Sequence, residues 1–351
     1  FLLLLVHRNG AAQNTIGLPL IANFNNSNYK AGTQTWDIKQ DKSGRMYFAN
    51  NEGLLIYDGS FWKLYPQPNK TILRSIALID DRIYAGGQDE IGYYAPDEHG
   101  VLKYTSLIPL IPMGQEKFTD VWEIEYVRGA VFFRTWNWIF EYKGNTIHGY
   151  PAPSGWSIMK LLGERLIAQD KKNGIFEFVA GKWQPLLREG ETISFEITGF
   201  AALGGDSLLI SSLYNGLYTC YKGTLTKRPT AIDDQFIKNH IYCFEQINNS
   251  EFVAGTTSGG CTILNAAGEV VQKISRAEGL QNNNVLSVFL DKQQNLWLGL
   301  DNGISFIGYN SPIKYIKPGA QEELSSYSAK IFQDRLYIGT SDGAYSTKLF
   351  I

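Results

Sequence analysis

The chain has 351 residues, with 32 Lys and Arg set against 34 Asp and Glu and a formal net charge of −2. No basic excess points to a nucleic-acid partner, since the densest basic pairs, Lys171-Lys172 and Lys227-Arg228, sit beside turn residues. Three cysteines, Cys220, Cys243 and Cys261, show no CxxC spacing and read as unpaired core residues, and a 13% aromatic content rich in Tyr and Phe suits strands.

The sequence opens on an apolar run, Phe1 to Val6, followed by His7, Arg8 and a small-residue pair, Ala11-Ala12. The run is too short to span a membrane and has the character of the end of a secretory signal, with cleavage near Ala11-Ala12. Residues 1–13 are therefore predicted to be the remnant of a signal peptide, in a chain whose start lies upstream and whose mature form is exported. No later stretch is long and apolar enough to cross a bilayer, so any anchor is expected outside these residues. The next segment, Ile21 to Tyr29 (IANFNNSNY), reads as an outer strand without a sheet of its own.

From Trp36 onward one phrase recurs: an apolar strand, a turn, a second apolar strand, then a Gly-containing hairpin. It is plainest at Val285 to Ile304 (VLSVFLDKQQNLWLGLDNGI) and returns at Trp36 to Leu54 and Ala329 to Ala344. The hairpin marks are Gly53, Gly92, Trp138 (a degenerate copy), Gly174, Gly216, Gly260, Gly303 and Gly343. Their mean spacing of about 41 residues is that of a four-stranded propeller blade. No segment repeats apolar residues at helical spacing. Arg45 to Ala49 and Asn295 to Gly299 read instead as alternating strands, bounded by turns such as Asp41 to Gly44 and Asp301-Asn302-Gly303. In the seventh unit the strands are expected at Val285 to Leu290, Leu296 to Gly299, Ile304 to Tyr309 and Ile313 to Ile316. Pro109 to Pro112 likewise reads as a fourth strand with its connector. The small residues at Gly299, Gly255-Thr256, Ala85-Gly86 and Gly339-Thr340 are placed where neighbouring blades crowd, and no glycine is assigned to phosphate binding.

Such a unit cannot bury its own apolar faces, so its copies must pack on one another. The predicted fold class is all-β: a seven-bladed β-propeller of four-stranded antiparallel blades over residues 14–318. Residues 319–351 are then the first part of a second propeller, cut off after its third strand. A single eight-bladed ring also fits the count. Seven is preferred because Ile21 to Tyr29 could complete the last blade and leave no exposed edge.

The chain shows little catalytic chemistry. Its four histidines, His7, His99, His148 and His240, are not spaced as metal ligands, no EF-hand-like loop occurs, and no GxSxG elbow is present. No catalytic residue, metal or cofactor is therefore predicted, and the chain is expected not to be an enzyme. Asp37, Asp120 and Glu123, near the inner strands, are the carboxylates that a propeller glycosidase would need.

The remaining signal is positional. Loops that enter the innermost strands of a propeller gather around its channel at one end, where ligands bind. Those places hold Trp36, Arg74, Asp120, Trp122, His240 and Asn284, and the third unit adds Arg134, Trp136 and Asn137 in place of the usual small-residue hairpin. Flat indole faces with Arg, Asn and Asp suit a sugar, whose CH faces stack and whose hydroxyls need partners. The alternative is that these tryptophans pack between blades, which is the reading adopted for Trp62 and Trp297.

The phrase Asn295 to Ile304 (NLWLGLDNGI), preceded by Val285 to Val288 and Asp291, resembles the two-component regulator propeller repeat. So does Tyr29 to Ile38 taken with Met46 to Leu55. The resemblance spans about residues 20 to 345, close in the first, seventh and eighth units and degenerate between them. It implies the periplasmic sensor region of a Gram-negative regulator of polysaccharide use, either a hybrid two-component sensor or a membrane-anchored regulator with a DNA-binding end. It further implies a second propeller, a membrane-proximal β-sandwich module, a transmembrane helix and a cytoplasmic signalling end as partners within the same protein, and an oligosaccharide as ligand. No ligand residue is carried over, because the repeat motif is structural. Two further readings stay open: a protein-interaction or homodimer scaffold without a small ligand, and a secreted carbohydrate-active enzyme.

Overall fold

The computed structural model describes residues 17–316 and 325–348. The predicted signal remnant at 1–13 and the predicted boundary at 318 and 319 lie outside the described residues.

Residues 21–307 form one unit, built of seven four-stranded antiparallel sheets. Six are formed by consecutive strands within 35–65, 73–106, 123–151, 156–185, 197–228 and 241–274. The seventh takes three strands, Val285–Leu290, Leu296–Leu300 and Gly303–Ile307, and a fourth from the other end of the chain, Ile21–Phe24. The first strand of each sheet touches the first strand of the next, and Thr35–Gln40 also touches Val285–Leu290, so the ring closes with seven blades. The fold class is therefore the one expected, and the eight-bladed ring is not formed.

The pairing of Ile21–Phe24 with Gly303–Ile307 runs over four residue pairs, from Ile21 opposite Ile307 to Phe24 opposite Ile304. It corrects the sequence reading of Ile313 to Ile316 as the last blade's fourth strand, since that edge is already taken. Pro109 to Pro112 is corrected too. The fourth strand of blade 2 is Leu102–Ser106, and a 3-10 turn follows at Ile108–Leu110, with Pro109 near its start where the missing N–H costs nothing. In the same blade the hairpin closes between Gly87 and Glu90, with Asp89 at φ 49°, so Gly92 lies two residues inside a strand and is not the hairpin mark.

The second strand of each blade is the ring's core. Met46–Asn50, Ala130–Arg134 and Leu296–Leu300 are buried at every position, not at alternate ones as their sequences suggested. A blade is covered on both faces by its neighbours, so both faces of its middle strands must be apolar or small. The crowding is sharpest at Gly255 and Gly299: a Cβ on Gly255 would stand 2.7 Å from Cγ1 of Val285, and one on Gly299 would stand 2.4 Å from the carbonyl of Thr35. Each contact is with the first strand of the next blade around the ring.

Six innermost strands carry a register shift at their second residue, which is Trp36, Arg74, Ser157, Thr198, Tyr242 or Leu286. In blade 3 Trp122 holds that place: its N–H donates to the carbonyl of Arg134 at 2.9 Å, although Glu123 already pairs with Arg134. A bulge inserts one residue and re-aims its side chain. The seven inner strands run in one direction, so these seven residues gather at one end of the channel.

The other unit includes the described residues 17–20, 308–316 and 325–348. Leu18 and Tyr315 exchange two backbone hydrogen bonds of 2.7 Å. Ser326–Phe332, Arg335–Thr340 and Gly343–Lys348 form a three-stranded antiparallel sheet with the same early register shift as the blades. Leu336 and Ile338 are buried in it, whereas Tyr327 and Ile331 are exposed.

Candidate functional site

Four of the residues selected from the sequence come together at the bulge end of the channel. The guanidinium of Arg74 lies over the Trp36 ring at 3.9 Å and over the Trp122 ring at 4.8 Å. The two indoles meet edge to face at 6.0 Å, with their planes 78° apart. Blades 1 and 3 are not neighbours, so the Trp36–Trp122 contact is made across the channel end. Asp120 holds Arg74 from the side, accepting from its Nε at 3.2 Å. Nη1 of Arg74 is buried and has no hydrogen-bond partner among the described residues, and the same is true of Ser157 Oγ and Asn284 Oδ1. A buried polar group without a partner is costly, so these atoms are ready to accept one.

A chain of side-chain hydrogen bonds leads outward from this corner. Trp36 Nε1 donates to Asn51 Oδ1 at 2.7 Å, Asn51 Nδ2 donates to Gln34 Oε1 at 2.9 Å, and Gln34 Nε2 donates to Asp301 Oδ1 at 2.6 Å. The chain fixes the Trp36 ring and links blade 1 to blade 7.

The other selected residues are placed apart from this contact set. Arg134 is buried; its Nε is bound by Glu123, and its Nη1 donates to the carbonyl of Trp156 at 3.0 Å. It stands where other blades carry Gly86, Gly255 or Gly299, so it is a tie between blades 3 and 4 and does not face a ligand. Trp136 is exposed, rests against Gly155 and has Lys171 Nζ at 5.1 Å from its ring. Asn137 is exposed and its carbonyl accepts from Ala152 at 2.8 Å. His240 ends the helix Asp233–Asn239 with φ 55° and packs edge-on against Tyr214 at 4.7 Å. The N–H of Asn284 donates to Asn282 Oδ1, while the carbonyl accepts from Asp301.

Below the bulge the channel is lined by charge, a feature the sequence reading missed. Lys39 pairs with Asp37 at 2.6 Å, and Asp37 also accepts from the N–H of Ile76 in the next blade. Lys160 of blade 4 is bound to Glu245 of blade 6. The first strand of blade 5 carries only small residues at these positions, Gly199 and Ala201, so that pair meets across the channel. Burial on its own lowers the Lys160 ammonium, but the carboxylates of Glu245 and Glu125 outweigh it and raise it. Burial pushes Glu125 up to about 7, against the opposing fields of Lys160 and Lys39. Tyr242 is pushed up to about 12, first by burial, and it feels Arg74, Glu123 and Arg134 from the far side of the ring. These positions lie 13 to 15 residues before the hairpin marks: Lys39 14 before Gly53, Glu125 13 before Trp138, Lys160 14 before Gly174 and Glu245 15 before Gly260.

Asp37, Asp120 and Glu123, the carboxylates a glycosidase would need, are each engaged by a cation of this chain, namely Lys39, Arg74 and Arg134. Among the described residues no group of three His, Cys, Asp or Glu could hold a metal ion, and no helix is long and apolar enough to cross a membrane. The three cysteines are unpaired. A pocket of about 230 Å³ opens between blades 3 and 4 over Phe132, Leu166 and Phe178, and none of the nine selected residues lines it.

Residues 279–302 match the family model described as two component regulator propeller, on the unit where the repeat is plainest. The chain thus carries the repeat it was expected to carry. Among solved structures it is similar to the extracellular domain of BT3049 of B. thetaiotaomicron, named a hybrid two component system. The TM-score is 0.69 at 16% identity, over 94% of this chain and 48% of that one. It is likewise similar to the extracellular domain of BT4673 of the same organism, named a one component system, with a TM-score of 0.66 at 19% identity over 93% and 46%. Virginiamycin B lyase from Staphylococcus aureus also matches, with a TM-score of 0.62 at 14% identity over 82% and 98%. At these identities the likeness is one of fold, and the fold serves both named systems and an enzyme. The chain spans about half the length of the two extracellular domains. No curated protein matches it.

Proposed function

We propose that this chain is the sensor module of an exported, membrane-anchored regulator, and that it binds a glycan-derived oligosaccharide at the channel end built by Trp36, Arg74, Asp120 and Trp122. The observation that carries the reading is the corner of two perpendicular indoles around a guanidinium with an unpartnered N–H. It offers an apolar face for a pyranose ring and a donor for a hydroxyl or carboxylate. The matched family repeat and the likeness to the extracellular domains of two B. thetaiotaomicron systems support an exported sensing role, which this reading assigns to the periplasm. The pairing of Asp37, Asp120 and Glu123 with cations favours binding over hydrolysis. In this reading the sheet at 326–348 opens a second propeller, and the signal passes on as a conformational or dimerisation change. A ligand drives such a change only by binding two states with different affinity.

The test is a thermal-shift screen against a panel of oligosaccharides, since a ligand selective for the folded state raises the melting point by mass action. A shift with one glycan family, lost in Trp122→Ala and unaccompanied by hydrolysis, is the expected result. No shift with any sugar, in this chain or in a longer one that includes the following propeller, overturns the reading. Release of smaller sugars would instead favour the enzyme.

A further inference from the structure

The blades are copies of one unit, so a place vacated in one of them can be read from the others. Counting back four residues from Gly86 in blade 2, and from its counterpart Gln169 in blade 4, reaches Arg82 and Arg165. Both arginines extend to the same place on the third strand of their own blade. Arg82 lies over the ring of Tyr93 at 4.4 Å, and Tyr93 stands opposite Tyr84. Arg165 holds Glu177, opposite Ile167, through two parallel hydrogen bonds of 3.0 and 2.7 Å. In blade 3 the counterpart is Arg134, and the same count reaches Ala130. Glu141 stands opposite Phe132, where blade 4 has Glu177. Blade 3 thus keeps the carboxylate and lacks the cation.

The cavity of about 230 Å³ between blades 3 and 4 is lined by both Ala130 and Glu141, so it lies where blade 4 places an arginine side chain. Among the described residues no cation pairs with Glu141. Its Oε2 accepts from the hydroxyl of Tyr150 at 2.7 Å, and Lys143, two residues along the strand, is exposed. Arg128 and Glu164, also lining the cavity, are paired with each other at 3.7 Å. Phe132 and Leu166 are buried beneath it, and Phe178 is half-buried.

We infer that this cavity is a binding site for a guanidinium on a short alkyl stem, which completes from outside the chain the pair that blade 4 makes with its own Arg165. A planar guanidinium meets a carboxylate through two parallel bonds, stacks on aromatic faces and lays its stem along apolar surface. Glu141 supplies the carboxylate, and Phe132, Leu166 and Phe178 supply the surface. A volume of 230 Å³ is that of about eight waters in the liquid, which suits one side chain and is too small for an oligosaccharide. The group arrives either as a free alkylguanidinium or as an arginine side chain of a partner protein. Val127 and Ala130 flank the first hairpin of blade 3, at the end of the ring opposite the bulges. None of these residues belongs to the channel-end corner, so the inference is independent of the glycan reading.

The experiment is a calorimetric titration of the 351-residue chain with butylguanidinium, with its uncharged analogue butylurea, and with a blocked Gly-Gly-Arg-Gly-Gly peptide. Butylguanidinium is expected to bind one to one, and butylurea is expected not to bind. Glu141→Gln keeps the shape and an acceptor for Tyr150, and it should weaken binding by at least about tenfold. Ala130→Arg installs the residue of blade 4, and it should abolish binding with the melting point at or above that of the wild type. The peptide separates the two sources: binding of the peptide assigns the site to an arginine side chain of a partner, and binding of butylguanidinium alone assigns it to a free small cation. No binding of either cation, equal binding of butylurea, or an affinity unchanged in Glu141→Gln overturns the inference. If Ala130→Arg fails to fold, butylurea and the Gln variant decide.

Discussion

The guanidinium of Arg74 lies 3.9 Å from the centroid of the Trp36 ring, and Asp120 holds it there from the third blade. Three blades thus meet in one cation–π and ion-pair contact. Arg74→Met is expected to destabilise the ring by about 1–2 kcal/mol, by losing the stacked cation and leaving Asp120 unpaired. Urea unfolding of the two proteins measures the difference.

The two tryptophans of that corner are not equivalent. Trp36 packs on the core between blades 1 and 2 and is fixed by Asn51, whereas the ring contacts of Trp122 are with Trp36 and Arg74. Trp36→Ala should cost about 3 kcal/mol, the scale of an aromatic truncation in a core. Trp122→Ala should leave the melting point within a few degrees and still abolish the ligand shift. Equal destabilisation by both changes would place Trp122 in the core and remove it from the site.

Ring closure rests on a short strand with one large anchor. Phe24 packs on Trp62 at 5.3 Å, Tyr57 at 5.7 Å and Trp297 at 6.1 Å, in the cluster shared by blades 1 and 7. Phe24→Ala is expected to cost about 3–4 kcal/mol. Hydrogen exchange should show the loss first at Gly303–Ile307, the strand that Ile21–Phe24 covers. Uniform loss of protection around the ring would mean that the blades unfold as one unit.

Asp170 makes the stability of the ring depend on pH. Burial alone would raise it, but hydrogen bonds from the side chains and N–H groups of Ser154 and Asn173 outweigh burial and hold it below its ordinary value. A carboxylate lowered by folding stabilises above its unfolded value and loses that contribution as pH falls through the folded one. Asp170→Asn should therefore cost about 1–2 kcal/mol at pH 7 and progressively less as the pH drops below about 4. Denaturant titrations at several pH values read this directly, and a constant deficit would contradict it.

The thiols should be inert in the native state. Burial raises Cys220 and Cys243 and pushes Cys261 up to about 12, so little thiolate exists at pH 8. Iodoacetamide is expected to label none of the three in the folded chain and all three in guanidinium chloride, as counted by mass spectrometry. Rapid labelling of Cys243, the least buried of them, would show that the channel admits the reagent.

The sequence by itself determined the blade, because a strand, a turn and a hairpin are set by neighbours a few residues apart. Gly53 and Gly303 take positive φ at their hairpins, and the apolar strands beside them can form nothing else at that period. It also pointed to Trp36, Arg74, Asp120 and Trp122, since one register position repeats from blade to blade. Tertiary structure alone decided what those positions touch. Arg134 looks from sequence like a surface donor, yet the neighbouring blade supplies the Trp156 carbonyl that buries it. Lys39, Glu125, Lys160 and Glu245 look like solvated strand residues until the ring brings their blades together. Lys160 and Glu245 are 85 residues apart and meet past the inner strand of blade 5, which carries Gly199 and Ala201 at these positions. Local periodicity cannot carry such a pairing. It exists because seven equal units close on themselves and give their inner strands one channel to share.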